Sequence, residues 1–230
     1  LTVLWRDQAG RPLGFVGRPP LSDEEREPLK LRKYHYAKGL EKSQGFSGLS
    51  FTQATRGGGS VLVVEGVLDA LFLNVRGAEP KAVSIGGTTP SDAQVAALAR
   101  VGTREVLLAL DQDGPGQDAT LRLVQKLRRE TDLRPLVVSW PADFKDPDEL
   151  VRAAGIVALQ EAMEKAEAWP RWLARHLVSQ HDSKTDRGLE LALAEACKVY
   201  GQVSDPLEQR QYREALAEAT GLPLEELEPR

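Results

Sequence analysis

Four short apolar runs, "VLVVE" (61–65), "KAVSI" (81–85), "EVLLAL" (105–110) and "RPLVVSW" (134–140), alternate with segments of helical period, "VLDALFLNVRG", "TPSDAQVAALARVG" and "GQDATLRLVQKLRRETD". This rhythm constrains the fold more than any other feature. Each run is apolar at successive positions instead of alternate ones, as expected where a strand is covered on both faces. Strands separated by helices within about a hundred residues predict a parallel sheet with helices on either side, hence an α/β fold. Pro90 and Ser91 are suitable helix openers, and the Gly-containing links are short enough for strand-to-helix turns.

Beyond residue 158 the pattern becomes helical throughout. "LQEAMEKAEAWPRWLARHLVSQ", "DRGLELALAEACKVYGQV" and "DPLEQRQYREALAEATG" follow one another, with Asp205-Pro206 as a start and Gly221 as a stop for the last. Trp169, Trp172 and Leu173 stand at helical spacing and read as core. We therefore divide the chain into a basic N-terminal part (1–57), an α/β part (58–158) and an all-helical part (159–230). The short "RGGGS" leads into the first strand of the second part.

Composition excludes several classes. No apolar run approaches the roughly 20 residues that span a bilayer, and no basic-then-apolar leader is present, so a soluble, cytoplasmic protein without a membrane partner is expected. The single cysteine, Cys197, excludes an internal disulfide and a cysteine-rich zinc site, and reads as a small buried thiol. His35, His176 and His181 are too scattered for a metal trio, so any metal must be held by oxygen. The formal charge of −4 hides an asymmetry: residues 1–57 carry ten Lys/Arg against six Asp/Glu, or +4, leaving −8 for the rest. Lys30, Arg32, Lys33, Lys38 and Lys42 crowd "PLKLRKYHYAKGLEK" with Tyr34, His35 and Tyr36 between them, a composition suited to phosphates and bases as well as to a plain solvated surface.

Acidic residues recur at one topological place. In an open parallel sheet the ligand crevice lies beyond the carboxyl ends of the strands, and there stand Glu65, the pair Asp111 and Asp113 in "LDQDG", and the pair Asp146 and Asp148 in "KDPDEL". Residues two apart in extended chain point the same way, so each pair can converge. Asp69, one helical turn on, can lean back over Glu65. Two carboxylates about 5 Å apart repel by roughly 3 kcal/mol at an effective dielectric near 20. Several together need a counter-charge, and carboxylates completed by water suit Mg²⁺ or Mn²⁺. Taken singly, "DQDG" is an ordinary turn and "DPDEL" an ordinary helix start; their order along the sheet is what is specific.

"VLVVEGVLDAL", "LLALDQDGPGQDAT" and "KDPDEL" resemble the three signature segments of the Toprim domain shared by topoisomerases and bacterial primases. The extension Asp-x-Asp-x-x-Gly-x-x-Ala is similar to the DnaG-type primase form. "WRDQAGRPLGFVGR" and "KLRKYHYAKGLEKSQGFSGL" are similar to segments preceding that domain in DnaG-type primases, "SIGGTTPSDAQVAAL" has the family's Gly-Thr-then-helix form, and the helical end resembles their third subdomain.

The resemblance implies a Toprim-type parallel sheet flanked by helices, a partial basic N-terminal subdomain and an all-helical C-terminal subdomain. It implies a DNA primase, a DNA-directed RNA polymerase making short RNA primers on a single-stranded DNA template from ribonucleoside triphosphates. Glu65, Asp111 and Asp113 would be catalytic; Glu65, Asp69, Asp111, Asp113, Asp146 and Asp148 would bind divalent metal; Arg18, Lys33, Tyr34 and Lys42 would hold template or incoming nucleotide. A replicative helicase would be a partner through a region outside this chain, as would the family's zinc-binding module lie outside it. Gln112, between two aspartates, is expected to point away without consequence. A Toprim nuclease or topoisomerase-like strand-cleaving enzyme is the alternative, and a non-catalytic binding module a further one.

Overall fold

The computed structural model describes residues 1–7, 9–48, 60–100, 104–201 and 203–227. They form two compact units, residues 1–166 and 167–230. The boundary expected at 57/58 lies outside the described residues. The one expected after residue 158 falls within a helix whose Leu159, Ala162 and Met163 join the core of the first unit.

In the first unit β1 (Thr2–Asp7) and β2 (Pro12–Gly17) form an antiparallel pair, followed by the short α1 (Asp23–Arg26), β3 (His35–Tyr36) and β4 (Gly45–Gly48). The α/β part follows as β5 (Val61–Val64), α2 (Val67–Val75), β6 (Ala82–Ser84), α3 (Asp92–Ala99), β7 (Glu105–Leu108), α4 (Gly114–Glu130), β8 (Arg134–Val137), α5 (Pro147–Ala154) and α6 (Ile156–Glu164). The four apolar runs are thus the four strands β5 to β8, and all four residues of β5 are buried.

These strands share one sheet in the order β3-β2-β1-β4-β6-β5-β7-β8. β6, β5, β7 and β8 are parallel, while β4 joins β6 antiparallel through Ser47↔Ser84 and Gly48↔Val83. The basic N-terminal part is therefore an antiparallel extension of the α/β sheet. β5 lies between β6 and β7, the strands that follow it in the chain, which makes its carboxyl end the switch point where a crevice opens. The core gathers Leu62, Val64, Leu73 and Leu107 with Trp140, Leu150 and Leu159. α4 buries Ala119, Leu123, Val124 and Leu127 on one stripe, each large side chain contributing roughly 1.5–3 kcal/mol.

Ser91 opens α3 with a reciprocal cap, its side chain accepting from the Gln94 N–H while the Gln94 side chain accepts from Ser91. The buried Gln94 amide then donates to the carbonyls of Gly45 (2.7 Å) and Ile85 (3.1 Å), tying α3 to the seam between the two parts of the sheet.

The second unit contains α7 (Trp169–Ser179), α8 (Asp186–Tyr200) and α9 (Pro206–Thr220), with Asp205 capping α9 and Gly221 ending it in a left-handed turn. Leu173 is buried as expected, whereas Trp169 and Trp172 are only partly so; Trp169 donates through Nε1 to Glu208, and Trp172 stacks on His176. Cys197 is exposed, contrary to the expectation of a buried thiol. Ala192 and Ala196, four apart, take the inward stripe of α8, and the next residue is turned about 100° away from it. No helix among the described residues is long and apolar enough to cross a membrane.

Candidate active site

A cavity of about 470 Å³ opens over the carboxyl end of β5, and Glu65, Asp69, Asp111, Asp146 and Asp148 line it together with Arg18, Lys33, Tyr34 and Lys145. The acids come from separate places: Glu65 immediately after β5, Asp69 from the first turn of α2, Asp111 beyond β7, and Asp146 and Asp148 at the start of α5. Gly66 makes the first approach possible, because a Cβ on it would stand 2.1 Å from Asp69 Oδ2. The Asp69 carboxylate thus folds back over the strand end. Ser84 Oγ holds the Glu65 carbonyl (2.7 Å) and accepts from the Gly86 N–H. Gly86, at φ +71°, leaves space that the ring of buried Trp5 occupies.

Electrostatics follows from this crowding. Burial pushes the Asp69 carboxyl up to about 7, helped by the charges of Asp146, Asp111 and Asp148. Glu65 is raised by burial and then by Asp111 and Asp113, and Asp111 by burial and then by Asp146. Asp146 is likewise raised by burial. Asp113 is instead held low, first by the Gly116 N–H and then by Lys145.

Asp113 is the acid that separates from the rest. It caps α4, accepting from Gly116 N–H at 2.9 Å, and lines a neighbouring cavity with Gln112, Trp140 and Phe144. The ordinary helix-start role also holds for Asp146, which caps α5 by accepting from Glu149 N–H at 2.8 Å. Asp148 pairs through Oδ2 with Arg152 (2.7 Å). On the basic side, Arg18 lies over the Tyr34 ring at 5.7 Å beside the cavity. Lys42 stands apart from the cavity lining: its Nζ lies 4.4 Å from the centre of the Tyr36 ring and reaches the Gly86 carbonyl at 3.4 Å.

Two residues were missed by sequence reasoning. Lys145 Nζ stands 3.2 Å from Asp113 Oδ2 and 3.6 Å from Asp111 Oδ2. Gln112 has its side chain on the neighbouring cavity, yet it is far from idle. Its Nε2 donates to the carbonyls of Trp140 (3.0 Å) and Phe144 (3.4 Å), its Oε1 accepts from Trp140 N–H, and its own N–H donates to the Lys145 carbonyl (2.8 Å). The loop carrying Lys145, Asp146 and Asp148 is thereby tied to the strand end carrying Asp111. A lysine beside "DPDE" was the available signal for the first residue; for Gln112 there was none beyond its place between two aspartates.

Among the described residues no three acid, imidazole or thiol side chains stand ready-assembled to hold a metal ion. The donor set nevertheless fits one. Asp148 Oδ1 is buried without a hydrogen-bond partner, and an ammonium already sits against Asp111 and Asp113 where positive charge is required. Hard carboxylate oxygens with room for water suit a divalent cation.

A parallel sheet with carboxylates at its switch point and at the next strand end defines a Toprim-type α/β protein, and the family model described as Toprim-like matches residues 62–151. The DNA primase of Haemophilus influenzae is 29% identical over 219 residues, covering 94% of this chain and 36% of that protein. The Escherichia coli primase catalytic core superposes with a TM-score of 0.70 at 29% identity, covering 96% of this chain and 69% of that one. A DnaG primase catalytic domain bound to single-stranded DNA gives a TM-score of 0.71 at 28% identity, covering 95% and 68%. Over nearly its whole length the chain is similar to bacterial DnaG-type primases and to the catalytic cores of that family. It spans about a third of the length of the curated relatives it matches. Primases and Toprim proteins use divalent metal ions. A second family model, described as the DnaB-helicase binding domain of primase, matches residues 170–225. That match lies within the chain, whereas the helicase-contacting region was expected outside it.

Proposed function

We propose that this chain is the polymerase core of a DNA primase, joining ribonucleotides into short RNA primers on single-stranded DNA. The observation that carries the reading is the cavity in which five carboxylates from four places in the fold face Arg18, Lys33 and Tyr34. Glu65, Asp69, Asp111, Asp146 and Asp148 would hold Mg²⁺ or Mn²⁺, with Asp113 at the margin. The bound ion would neutralise nucleotide phosphates and lower the barrier to attack by the primer 3′-hydroxyl. The chain's own part is positioning, which together with charge stabilisation carries most of the catalysis in phosphoryl transfer. Gly66 lets Asp69 reach the strand end, and Gln112 fixes the loop that bears Asp146 and Asp148. Arg18 and Lys33 supply positive charge for template or triphosphate, while Tyr34 offers a ring face for a base; Lys42 would act through the Gly86 loop.

Residues 1–57 would serve as the basic ridge, 58–158 as the Toprim part, and the helical unit as the helicase contact in a cytoplasmic replication complex. Likeness to DnaG cores over nearly the whole chain, beyond the Toprim segment alone, favours primer synthesis over strand cleavage. The test is primer synthesis from ribonucleotides on single-stranded DNA with Mg²⁺. Glu65→Gln and Asp111→Asn are each expected to lower the rate by at least about a hundredfold. Undiminished synthesis in both would refute the site, and Mg²⁺-dependent nicking of supercoiled DNA would favour the alternative.

A further inference from the structure

Lys145 stands at the point where this site most needs a cation. Its Nζ contacts Oδ2 of both Asp111 and Asp113, at 3.6 and 3.2 Å, and the residue lines both cavities. The backbone under it is held separately, since the Lys145 N–H donates to Glu149 Oε2 (2.8 Å) and its carbonyl accepts from the Gln112 N–H (2.8 Å). The side chain, 53% exposed, can turn about its four-carbon stem without disturbing that loop.

An ammonium offers three donors and no lone pair. A small divalent ion requires carboxylate oxygens at about 2.0–2.1 Å. Placed between the same pair of oxygens, the two cations would stand within a few ångströms of each other and repel, so each weakens the hold of the other. We propose that Lys145 is a resident counter-cation: it neutralises Asp111 and Asp113 in the metal-free protein, competes with the divalent ion for them, and swings aside when the ion binds. This rests on the reading of the cavity as a divalent-metal site. Lys145 would thereby set the metal concentration at which the site fills, a role for a residue outside the acid set itself.

The experiment is a Mn²⁺ titration at low ionic strength, following free Mn²⁺ by its paramagnetic resonance, on wild type and on Lys145→Met, Lys33→Met and Asp111→Asn. Lys145→Met should bind Mn²⁺ about three- to tenfold more tightly than wild type, the scale of a partly screened ion pair. Lys33→Met removes a second cation lining the cavity and should tighten binding clearly less. Equal or weaker binding by Lys145→Met, or equal tightening by Lys33→Met, overturns the competition even when Asp111→Asn loses the ion and so upholds the metal site. If neither wild type nor Lys145→Met takes up Mn²⁺ above the level of Asp111→Asn, the metal reading itself fails, and the role of Lys145 falls with it.

Discussion

Asp69 shows how a single position can be set against stability. Its carboxyl moves from an ordinary 3.8 to about 7 on folding, first through burial and then through Asp146, Asp111 and Asp148. The folded protein therefore binds a proton more tightly than the unfolded chain, and stability is favoured at low pH and falls as pH rises from about 4 through 7. Asp69→Asn should remove that loss. In urea unfolding the variant is expected to match wild type near pH 4 and to exceed it by about 1–3 kcal/mol near pH 8; wild type that is equally stable at both would contradict the assignment. If the cavity holds a divalent ion as proposed, Mg²⁺ should narrow the gap at pH 8, since it would bind the ionised site and not the unfolded chain. Gln112 argues the opposite case, a polar residue whose work is support. Gln112→Leu leaves the Trp140 carbonyl without its donor and Trp140 N–H without its acceptor, so unfolding should be easier by about 1–3 kcal/mol. Asp111 was visible in the sequence because it follows an apolar strand run, whereas Asp113, expected to converge with it, caps α4 and lines the adjoining cavity. Lys145 was not visible, because its partners lie more than thirty positions away.

Elements were the most legible part of the chain. Strand runs apolar at every position and helices with a 3.6-residue stripe are local patterns, and each of the four expected strands and the helices between them is present. Boundaries were less legible where helices follow closely. Between α5 and α6 stands Gly155, at φ +83° with nothing within 4 Å of where a Cβ would be. The space is open, so Gly155→Ala measures backbone strain alone and should cost about 1–3 kcal/mol by thermal or chemical unfolding; a neutral effect would mean that the turn relaxes. α6 then buries Leu159, Ala162 and Met163 against the sheet, so the first unit continues to Ala166 and not to residue 158. Helical period cannot say which core a helix joins. In the second unit, Arg171 meets Glu214 and Glu218 across α7 and α9, a partly exposed network worth little by itself; the buried Tyr212, donating to the Ala196 carbonyl, is the firmer tie.

At the scale of the molecule, charge is segregated: the basic excess of residues 1–57 and the acidic α/β part meet at one cavity through Arg18, Lys33 and the carboxylates. Binding of single-stranded DNA should therefore weaken with salt, and Arg18→Gln or Lys33→Gln should each reduce the slope of log affinity against log salt by about 0.7 for every phosphate that the side chain neutralises. Unchanged slopes by fluorescence anisotropy would place the template elsewhere. The sequence by itself determined the strand and helix periods, the acids at the strand ends and the charge asymmetry, because these depend on neighbours within a few positions. Only the tertiary structure decided that Asp113 sits in the adjoining cavity, that Lys145 stands between two aspartates, that Gln112 anchors a loop, that Cys197 faces outward and that the N-terminal strands extend the same sheet. Those outcomes depend on which distant segments come within a few ångströms of each other, and the packing of the whole chain settles them together.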